Sequence, residues 1–302
     1  PTITVSLADE DGTYAAVASL AVSVAPPTPT VAIAAQAAGS VSEGSSFTRT
    51  ITFSDGEDSG GDGWTYNVTW NDGVVQTGTT ATQSFELTRS APDGDAALSA
   101  TITVSDTGGT DSDVENLALT VTNVAPTATV SGAATIAEGT LYTLTVGPVA
   151  DPGADTRSAY TIAWGDGLSD SFTAAEWTAA AGSFTHTYAD GPGNAVITVS
   201  TTDEDGSFTL GTQAVTIDNV VPTLAASGAP SATVGVAYTL NLANYLDPGQ
   251  DSLLPDGITI DWGDGSTSTA SGLGNFTHLY TATGTPTITV SLADEDGTYA
   301  AV

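Results

Sequence analysis

The sequence predicts an all-β protein built from tandem antiparallel β-sandwiches. Its 302 residues are enough for two or three domains. The apolar residues are mainly Val, Ile, Ala and Leu beside abundant Thr, Ser and Gly, which favours short strands and turns over long helices. Short segments of alternating polarity are separated by turn sequences such as Asp151-Pro152-Gly153. A single motif also recurs at intervals of 94 and 98 residues, which indicates a repeated domain.

That motif is a tryptophan followed by a tight-turn sequence. It reads Trp164-Gly165-Asp166-Gly167 and Trp262-Gly263-Asp264-Gly265, with a weaker version at Trp70-Asn71-Asp72-Gly73. Each copy follows a strand-like run, so each tryptophan is predicted to end a strand and pack in a core. Gly and Asp supply the turn, through positive φ and a bond from side chain to backbone.

Each domain is predicted to contain about seven strands. For the second domain they are Thr127–Val130, Leu141–Val146, Tyr160–Ala163, Ser171–Phe172, Ser183–Tyr188, Ala195–Ser200 and Gln213–Ile217. Residues 174–181 can form one helical turn, as a loop insert.

Three proline-containing linkers divide the chain. They are Val24-Ala25-Pro26, Val124-Ala125-Pro126 and Val220-Val221-Pro222, and each follows an alternating strand. Proline holds its predecessor extended, so the chain should pass stiffly between domains. The predicted organisation is the end of a preceding repeat in 1–25, domains in 26–124 and 125–220, and a third domain in 221–302 that lacks its last strand.

The two ends of the chain carry the same sequence. Residues 1–17 are identical to residues 286–302, an offset of 286 − 1 = 285 residues. We interpret this as a covalent tandem array of 285-residue blocks. Exchange of a terminal strand between separate subunits is the alternative. In either case Ala18–Val24 corresponds to the strand that the third domain lacks.

The charge balance excludes some partners. The chain has 35 acidic residues, three arginines and no lysine, for a net charge of −32. We therefore expect no binding to nucleic acid or anionic membranes, and an affinity for multivalent cations. No apolar run is long enough to span a membrane. Without cysteine, the fold must depend on core packing, metal ions or neighbouring domains. The first residues contain no signal-like core, so we expect an excerpt of a mature protein.

Four motifs in a fixed order resemble the polycystic-kidney-disease-type (PKD) domain. In the third domain they are Asp261–Gly265, Phe276–Tyr280, Thr287–Ser291 and Asp294–Gly297. The second domain matches with Trp164–Gly167, Phe184–Tyr188 and Asp203–Gly206. The first domain departs from the pattern at Phe85-Glu86-Leu87 and Asp106-Thr107-Gly108-Gly109, as a diverged member would. The resemblance implies immunoglobulin-like sandwiches in a bacterial or archaeal extracellular protein, acting as spacer, adhesive or carbohydrate-associated modules.

The histidines suggest a site, but their pattern favours a structural role. His186 and His278 could each meet the aspartate of a Trp-Gly-Asp-Gly turn. No nucleophile elbow, phosphate loop or zinc spacing accompanies them. We therefore predict structural hydrogen bonds and no enzymatic activity.

The acidic residues predict calcium sites where domains meet. Strand directions place two acidic turns of one domain against two turns of the next. The facing sets are Glu138, Asp166 and Asn219 with Asp247, Asp294 and Asp296, and Glu43, Asp72 and Asn123 with Asp151, Asp203 and Asp205. Carboxylates that meet repel unless a hard cation neutralises them, and Ca²⁺ takes six to eight oxygens.

The junction after the third domain is expected to depend least on Ca²⁺. Val234-Gly235 stands where the second domain has Glu138-Gly139, and Ser23 replaces an asparagine. The next domain offers only Asp55 and Asp106 there. Pro26-Pro27 can stiffen this junction instead.

These features together predict a structural repeat of an extracellular fibre, stalk or surface layer, rigidified by calcium between domains. Alternatives are the stalk of a cell-surface adhesin and a spacer or carbohydrate-binding module of a secreted hydrolase. The expected partners are other copies of the repeat, in tandem or laterally, with cell-surface polysaccharide as a further candidate.

Overall fold

The computed structural model describes residues 2–22, 31–56, 63–107 and 111–300. The chain divides into two compact units, Pro1–Asn123 and Val124–Val302. Each is described by itself below. The linker residues Ser23, Val24, Ala25, Pro26 and Pro27 lie outside the described residues. The described part is almost entirely β-structure, which confirms the predicted fold class.

The first unit begins with a hairpin of β1 (Thr2–Asp9) and β2 (Gly12–Ala21). All residues of both strands are exposed, including the apolar side chains of Val5 and Leu7. The hairpin therefore contributes no core of its own.

The first sandwich follows in the same unit. Its strands are β3 (Val31–Ile33), β4 (Gly39–Ser42), β5 (Ser45–Asp55), β6 (Trp64–Trp70), β7 (Val75–Thr80), β8 (Ser84–Ala91), β9 (Ala97–Asp106) and β10 (Ser112–Thr122). The sheet order is β4-β10-β9-β6-β7 in one layer and β3-β5-β8 in the other. Alternate residues of the long strands point inward, so that Ile51, Val68 and Ile102 are fully buried between the layers.

The second unit contains two further cores, and the first of them belongs to the second sandwich. Its strands are β11 (Val130–Gly132), β12 (Thr135–Ala137), β13 (Leu141–Val146), β14 (Ala159–Ala163), β15 (Ser169–Thr173), β16 (Ser183–Thr187), β17 (Gly193–Thr202) and β18 (Ser207–Asp218). The layers are β12-β18-β17-β14-β15 and β11-β13-β16. The predicted helical turn is helix α1 (Ala174–Ala179), which starts at a capping box between Thr173 and Glu176.

The third sandwich has the same order of strands but a shorter last one. Its strands are β19 (Thr223–Gly228), β20 (Ala237–Leu246), β21 (Ile258–Asp261), β22 (Thr267–Ala270), β23 (Gly274–Leu279), β24 (Thr289–Ala293) and β25 (Thr298–Tyr299). The layers are β22-β21-β24-β25 and β19-β20-β23.

The sequence pattern missed one strand of the second sandwich. β12 pairs with β18 in parallel, and β4 pairs with β10 in the same way in the first sandwich. These segments have only three or four residues, too few for an alternation to be recognised. The described part of the third sandwich has no equivalent of β12, because β25 stops before the region against which such a strand would pair.

Candidate metal centre

The turn after each motif tryptophan is closed by its aspartate. The amide of Trp164 donates to the carbonyl of Leu168 at 3.0 Å, and Asp166 Oδ1 accepts from the amide of Leu168 at 3.0 Å. Gly165 and Gly167 have φ of +89° and +94°, in the region that favours glycine. A Cβ at Gly165 would lie 2.7 Å from the amide nitrogen of Val196, so no side chain fits there.

The second carboxylate oxygen of that aspartate is held by a histidine. Nε2 of His186 lies 2.6 Å from Asp166 Oδ2, and the imidazole stacks on Trp164 with ring centroids 4.6 Å apart. The third sandwich repeats this with His278, 2.8 Å from Asp264 and stacked on Trp262 at 4.7 Å. Backbone and histidine bonds lower the pKa of Asp166 despite burial, which acts in the opposite direction.

The first sandwich achieves the same arrangement with arginine. Arg89 on β8 donates to Asp72, and its guanidinium lies over the Trp70 ring, 5.6 Å from the centroid. Trp70 is buried like its two counterparts, as predicted. Arg89 thus occupies the place that His186 and His278 take in the other sandwiches. The departure of the first domain from the motif pattern therefore preserves the contact and changes only the residue that makes it.

Asp166 and Asp72 do not belong to the acidic clusters described below. Asp166 and Asp72 were both expected to face a neighbouring domain. The structure instead binds each to a strand of its own sandwich, since the turn amide and the basic side chain use both carboxylate oxygens. The predicted roles of Asp166 and Asp72 in binding calcium stay predictions.

A different acidic group forms where the second and third sandwiches meet. We call Glu138, Asp190, Asp251 and Asp296 the junction cluster. Each offers one carboxylate oxygen, and these oxygens all lie within 4.8 Å of one another. Two oxygens bound to one Ca²⁺ at 2.3–2.6 Å can be up to about 5 Å apart, so one ion fits the cluster. Two members come from the second sandwich and two from the third.

Glu138 is fixed at the centre of this contact. It is fully buried, and its Oε2 accepts from the amide of Gly191 at 2.6 Å and its Oε1 from the amide of Val220 at 2.7 Å. Gly191 precedes β17 and Val220 lies in the linker, so one carboxylate joins three segments. Each oxygen retains a lone pair for a ligand.

Direct contacts hold the same junction together. The amide of Gln250 donates to the carbonyl of Ala189 at 2.8 Å, and Nδ2 of Asn219 donates to Asp296 Oδ2 at 2.9 Å. A Cβ at Gly139 would overlap the carbonyl oxygen of Pro248. Asn219 therefore orients Asp296, and its predicted role in binding calcium stays a prediction. The glycine after Glu138 is needed for this close approach.

A second acidic group lies beside the first, within the third sandwich. Asp247, Asp251 and Asp294 form what we call the pole triad, with oxygens again within 4.8 Å of one another. The second sandwich has a matching triad of Asp151, Asp155 and Asp203. The two triads follow the same sequence pattern, Asp-Pro-Gly-x-Asp, at 151–155 and 247–251.

Asp251 belongs to both the junction cluster and the pole triad, and its environment disfavours its charge. Burial, together with the negative charges of Glu138, Asp247, Asp296 and Asp190, raises the pKa of Asp251 to about 7. Neither of its oxygens has a hydrogen-bond partner among the described residues. Among the described residues, no protein group thus offsets the negative charge of Asp251.

The sequence did not predict the roles of Asp190 and Asp251. Asp190 lies in the loop after β16, and Asp251 lies in the loop after β20. Recurrence of Asp-Pro-Gly-x-Asp in two domains was the available signal for Asp251. For Asp190 there was no such signal, since the turn Asp190–Gly193 has no acidic counterpart in the third domain.

The remaining predicted residues are placed within their own units. In the first unit, Glu43 is buried, its amide donates to the carbonyl of Thr122, and Asn123 directly follows β10. In the second unit, Asp151 accepts from Arg157 at 3.0 Å, and Asp203 Oδ1 accepts from the amide of Asp205 at 3.0 Å. Their predicted role in binding calcium stays a prediction.

No protein-family model matches the chain, and no curated protein matches it. Among solved structures, it is similar to the immunoglobulin domains 1–5 of Sidekick-1, with 13% identity over 90% of this chain and 57% of that one and a TM-score of 0.33. An I-band fragment of titin gives 12% identity over 91% and 97%, with a TM-score of 0.35. Extracellular domains 3–5 of Drosophila OTK give 9% over 93% and 97%, with 0.29.

These TM-scores are too low to support any conclusion about this chain. The description as tandem immunoglobulin-like sandwiches rests on the strand order and the two-layer cores of this chain. The chain spans little more than half of the Sidekick-1 fragment. The resemblance to the PKD type stays a prediction. Within the described residues, no helix is both long and apolar enough to cross a membrane.

Proposed function

We infer that this chain is a structural repeat segment of an extracellular fibre, stalk or surface layer, in which Ca²⁺ stiffens the junction of the second and third sandwiches. The observation that carries this proposal is Glu138. A fully buried carboxylate of one sandwich lies within ion-bridging distance of two carboxylates of the next, Asp251 and Asp296.

The donor set favours calcium over other metals. The four residues of the junction cluster offer only carboxylate oxygens, whereas zinc and copper sites are built mainly from sulfur and imidazole ligands. Mg²⁺ requires near-ideal octahedral geometry and keeps several waters, while Ca²⁺ accepts six to eight oxygens in flexible geometry. Carboxylates that bind in bidentate fashion, with water, can complete such a shell.

A cation in the junction cluster would stiffen the junction, because it would link the second and third sandwiches, which already contact each other directly. The backbone bond between Gln250 and Ala189 and the approach of Gly139 to Pro248 define the orientation. Mutual repulsion of the carboxylates opposes that orientation. Neutralising them leaves the direct contacts to fix the angle, so each junction transmits its geometry to the next repeat.

The open edge of the third sandwich supports continuation of the array by other copies. Val290 and Leu292 on β24 are buried, at 4% and 0% exposed, while the identical Val5 and Leu7 of the N-terminal hairpin are 48% and 60% exposed. Two cavities of about 430 and 530 Å³ lie along this edge, both lined by Tyr238, Pro286 and Ile288. The segment that follows Val17 in the hairpin would complete this sheet in a continued chain.

We propose no catalytic role for the His–Asp pairs. In a hydrolytic triad the histidine lies between the nucleophile and the carboxylate. Here Ser266 Oγ donates to Asp264 Oδ1 at 2.5 Å, while His278 bonds to the other oxygen of the same carboxylate at 2.8 Å. The carboxylate lies in the middle, so the histidine does not contact the serine as the triad requires. The stacked imidazole also has one face covered by Trp262.

Two related functions remain as alternatives within the same architecture. In an adhesin the repeats would form the stalk, and in a secreted hydrolase they would form a spacer or a carbohydrate-binding module. A cell-surface location fits all three, and cell-surface polysaccharide is a candidate partner in each. A full-length sequence that contained only repeats would favour the fibre.

The stiffness can be measured directly because the chain has no cysteine. Spin labels at Val196→Cys and Leu273→Cys, both exposed, report on the distance between the second and third sandwiches. We expect a narrow distance distribution in Ca²⁺ and a broader one in EDTA. Labels at Val234→Cys and Leu273→Cys, both in the third sandwich, are the control and should not respond. Equal widths between sandwiches in both conditions would reject a stiffening role for calcium.

A further inference from the structure

The six carboxylates of the junction cluster and the pole triad have very little positive charge near them. The six are Glu138, Asp190, Asp247, Asp251, Asp294 and Asp296. Arg157 is the only Lys or Arg in the second unit, and it is bound to Asp151. One divalent cation in the junction cluster would leave a formal charge of −4 in this small volume, and a second would leave −2.

The pole triad contains buried oxygen atoms without partners. Asp294 is 2% exposed, and its Oδ1 accepts from the amides of Asp296 and Gly297 at 3.0 and 3.1 Å. Its Oδ2 is enclosed and has no hydrogen-bond partner among the described residues, and the same is true of both oxygens of Asp251. Buried carboxylate oxygens left without donors are costly, so they point to a ligand that is a cation.

The matching triad of the second sandwich shows how a cation can be supplied from within the protein. Arg157 Nη1 lies 3.0 Å from Asp151 Oδ2. The equivalent position in the third sandwich, 96 residues later, is Leu253, which carries no charge. Tyr245 donates to Asp247 Oδ2 at 2.7 Å, but a neutral hydroxyl does not balance the triad. The third sandwich thus has the same carboxylates without the guanidinium.

We propose that Asp251 bridges two Ca²⁺ ions, one in the junction cluster and one in the pole triad. The first ion joins two sandwiches, and the second is held by the third sandwich alone. This inference rests on the proposed function for the first ion and adds the second.

Calorimetric titration of the whole chain with Ca²⁺ tests the number of ions. We expect Asp251→Asn to weaken two sites by about tenfold or more relative to the unaltered chain, because both lose a charged ligand. Asp247→Asn should weaken only one site, and Asp190→Asn should weaken only the other. If Asp247→Asn leaves every site unchanged while Asp190→Asn weakens one, the second ion is rejected and the first stands.

Two further outcomes would reject the junction ion or both ions. If Asp190→Asn leaves every site unchanged while Asp247→Asn weakens one, the junction ion of the proposed function is rejected. If Asp251→Asn leaves every site unchanged, both ions are rejected.

A further variant transfers the guanidinium of the second sandwich to the third. Leu253→Arg introduces the guanidinium found at Arg157, and we expect it to remove the ion of the pole triad while leaving the junction ion. Leu253→Gln, of similar length without charge, is the matched control and should retain both. Loss of the same site in both variants would attribute the effect to packing and overturn the argument from charge.

A luminescence measurement that keeps all six carboxylates protects against carboxylate variants that fail to fold. Tb³⁺ can replace Ca²⁺ and emits light when a nearby tyrosine is excited. Tyr245, bound to Asp247, is placed to excite an ion in the pole triad. Tyr245→Phe should therefore lower the emission severalfold at saturating Tb³⁺, and unchanged emission would overturn the placement of the second ion.

Discussion

The indole of Trp164 and the imidazole of His186 are stacked, with their planes 8° apart and their centroids separated by 4.6 Å. The same imidazole bonds to Asp166, so that one side chain links the core residue directly after β14 to the turn that it begins. The first sandwich substitutes Arg89, which binds Asp72 and lies over Trp70. A flat, donor-bearing side chain is thus the requirement at this position.

We therefore expect His186→Ala to destabilise the second unit by about 1–3 kcal/mol, through the lost stack and the unpaired carboxylate. His186→Arg should retain most of the stability, since arginine performs the same role in the first sandwich. Urea denaturation monitored by tryptophan fluorescence measures both. An arginine variant as unstable as the alanine variant would show that the two arrangements are not equivalent.

The acid stability of the third sandwich should depend on Asp264. Hydrogen bonds from the Ser266 side chain and from His278 lower the pKa of Asp264 to about 2. Because the folded pKa is depressed, this contribution to stability is present above about pH 4 and is lost as the pH falls towards 2. Asp264→Asn should remove that part of the pH dependence.

The carboxyl resonance of Asp264 in an NMR titration provides the measurement. A midpoint near 2 is expected. A midpoint near 4 for Asp264 would show that the turn bonds do not persist in solution.

The sequence predicted the fold well because alternation and turns are local properties. β13 was predicted at its observed bounds, and the tryptophans were correctly placed in the core. The site was harder to predict, since it depends on which side chains the fold brings together. Asp166 and Asp190 both follow strands at the same end of the second sandwich. A histidine and a backbone amide bind Asp166, whereas Asp190 extends into the cluster, and no local pattern distinguishes these outcomes.

The open edge of the third sandwich predicts that a longer chain is more stable. Addition of the nine residues ASLAVSVAP after Val302, copied from residues 18–26, should extend β25 along β24 and cover the exposed edge. Two side chains of the size of valine or leucine that become buried contribute about 3–6 kcal/mol before the cost of ordering the strand. We expect a rise of several degrees in the melting temperature of this sandwich.

A matched extension in which the leucine and both valines are replaced by serine is the control for added length. It should leave the melting temperature unchanged, because it has the same backbone but little to bury. If both extensions stabilise the chain equally, the edge does not select an apolar strand, and the proposed continuation of the repeat loses its structural support.

The role of Glu138 predicts two separable effects of one substitution. Glu138→Gln removes the charge and can satisfy only one of the two amides, Gly191 and Val220, since its own amide group is a donor. In EDTA the second unit should lose about 1–3 kcal/mol in its free energy of unfolding, from the unpaired amide in a buried site. In Ca²⁺ the stabilisation seen for the unaltered chain should also diminish.

Glu86→Gln, on an exposed residue of β8, is the control for loss of one charge and should change stability by less than about 0.5 kcal/mol in both conditions. If Glu138→Gln destabilises the chain in EDTA but gains as much from Ca²⁺ as the unaltered chain, Glu138 is a structural anchor for the linker, and the ion that joins the two sandwiches does not depend on it.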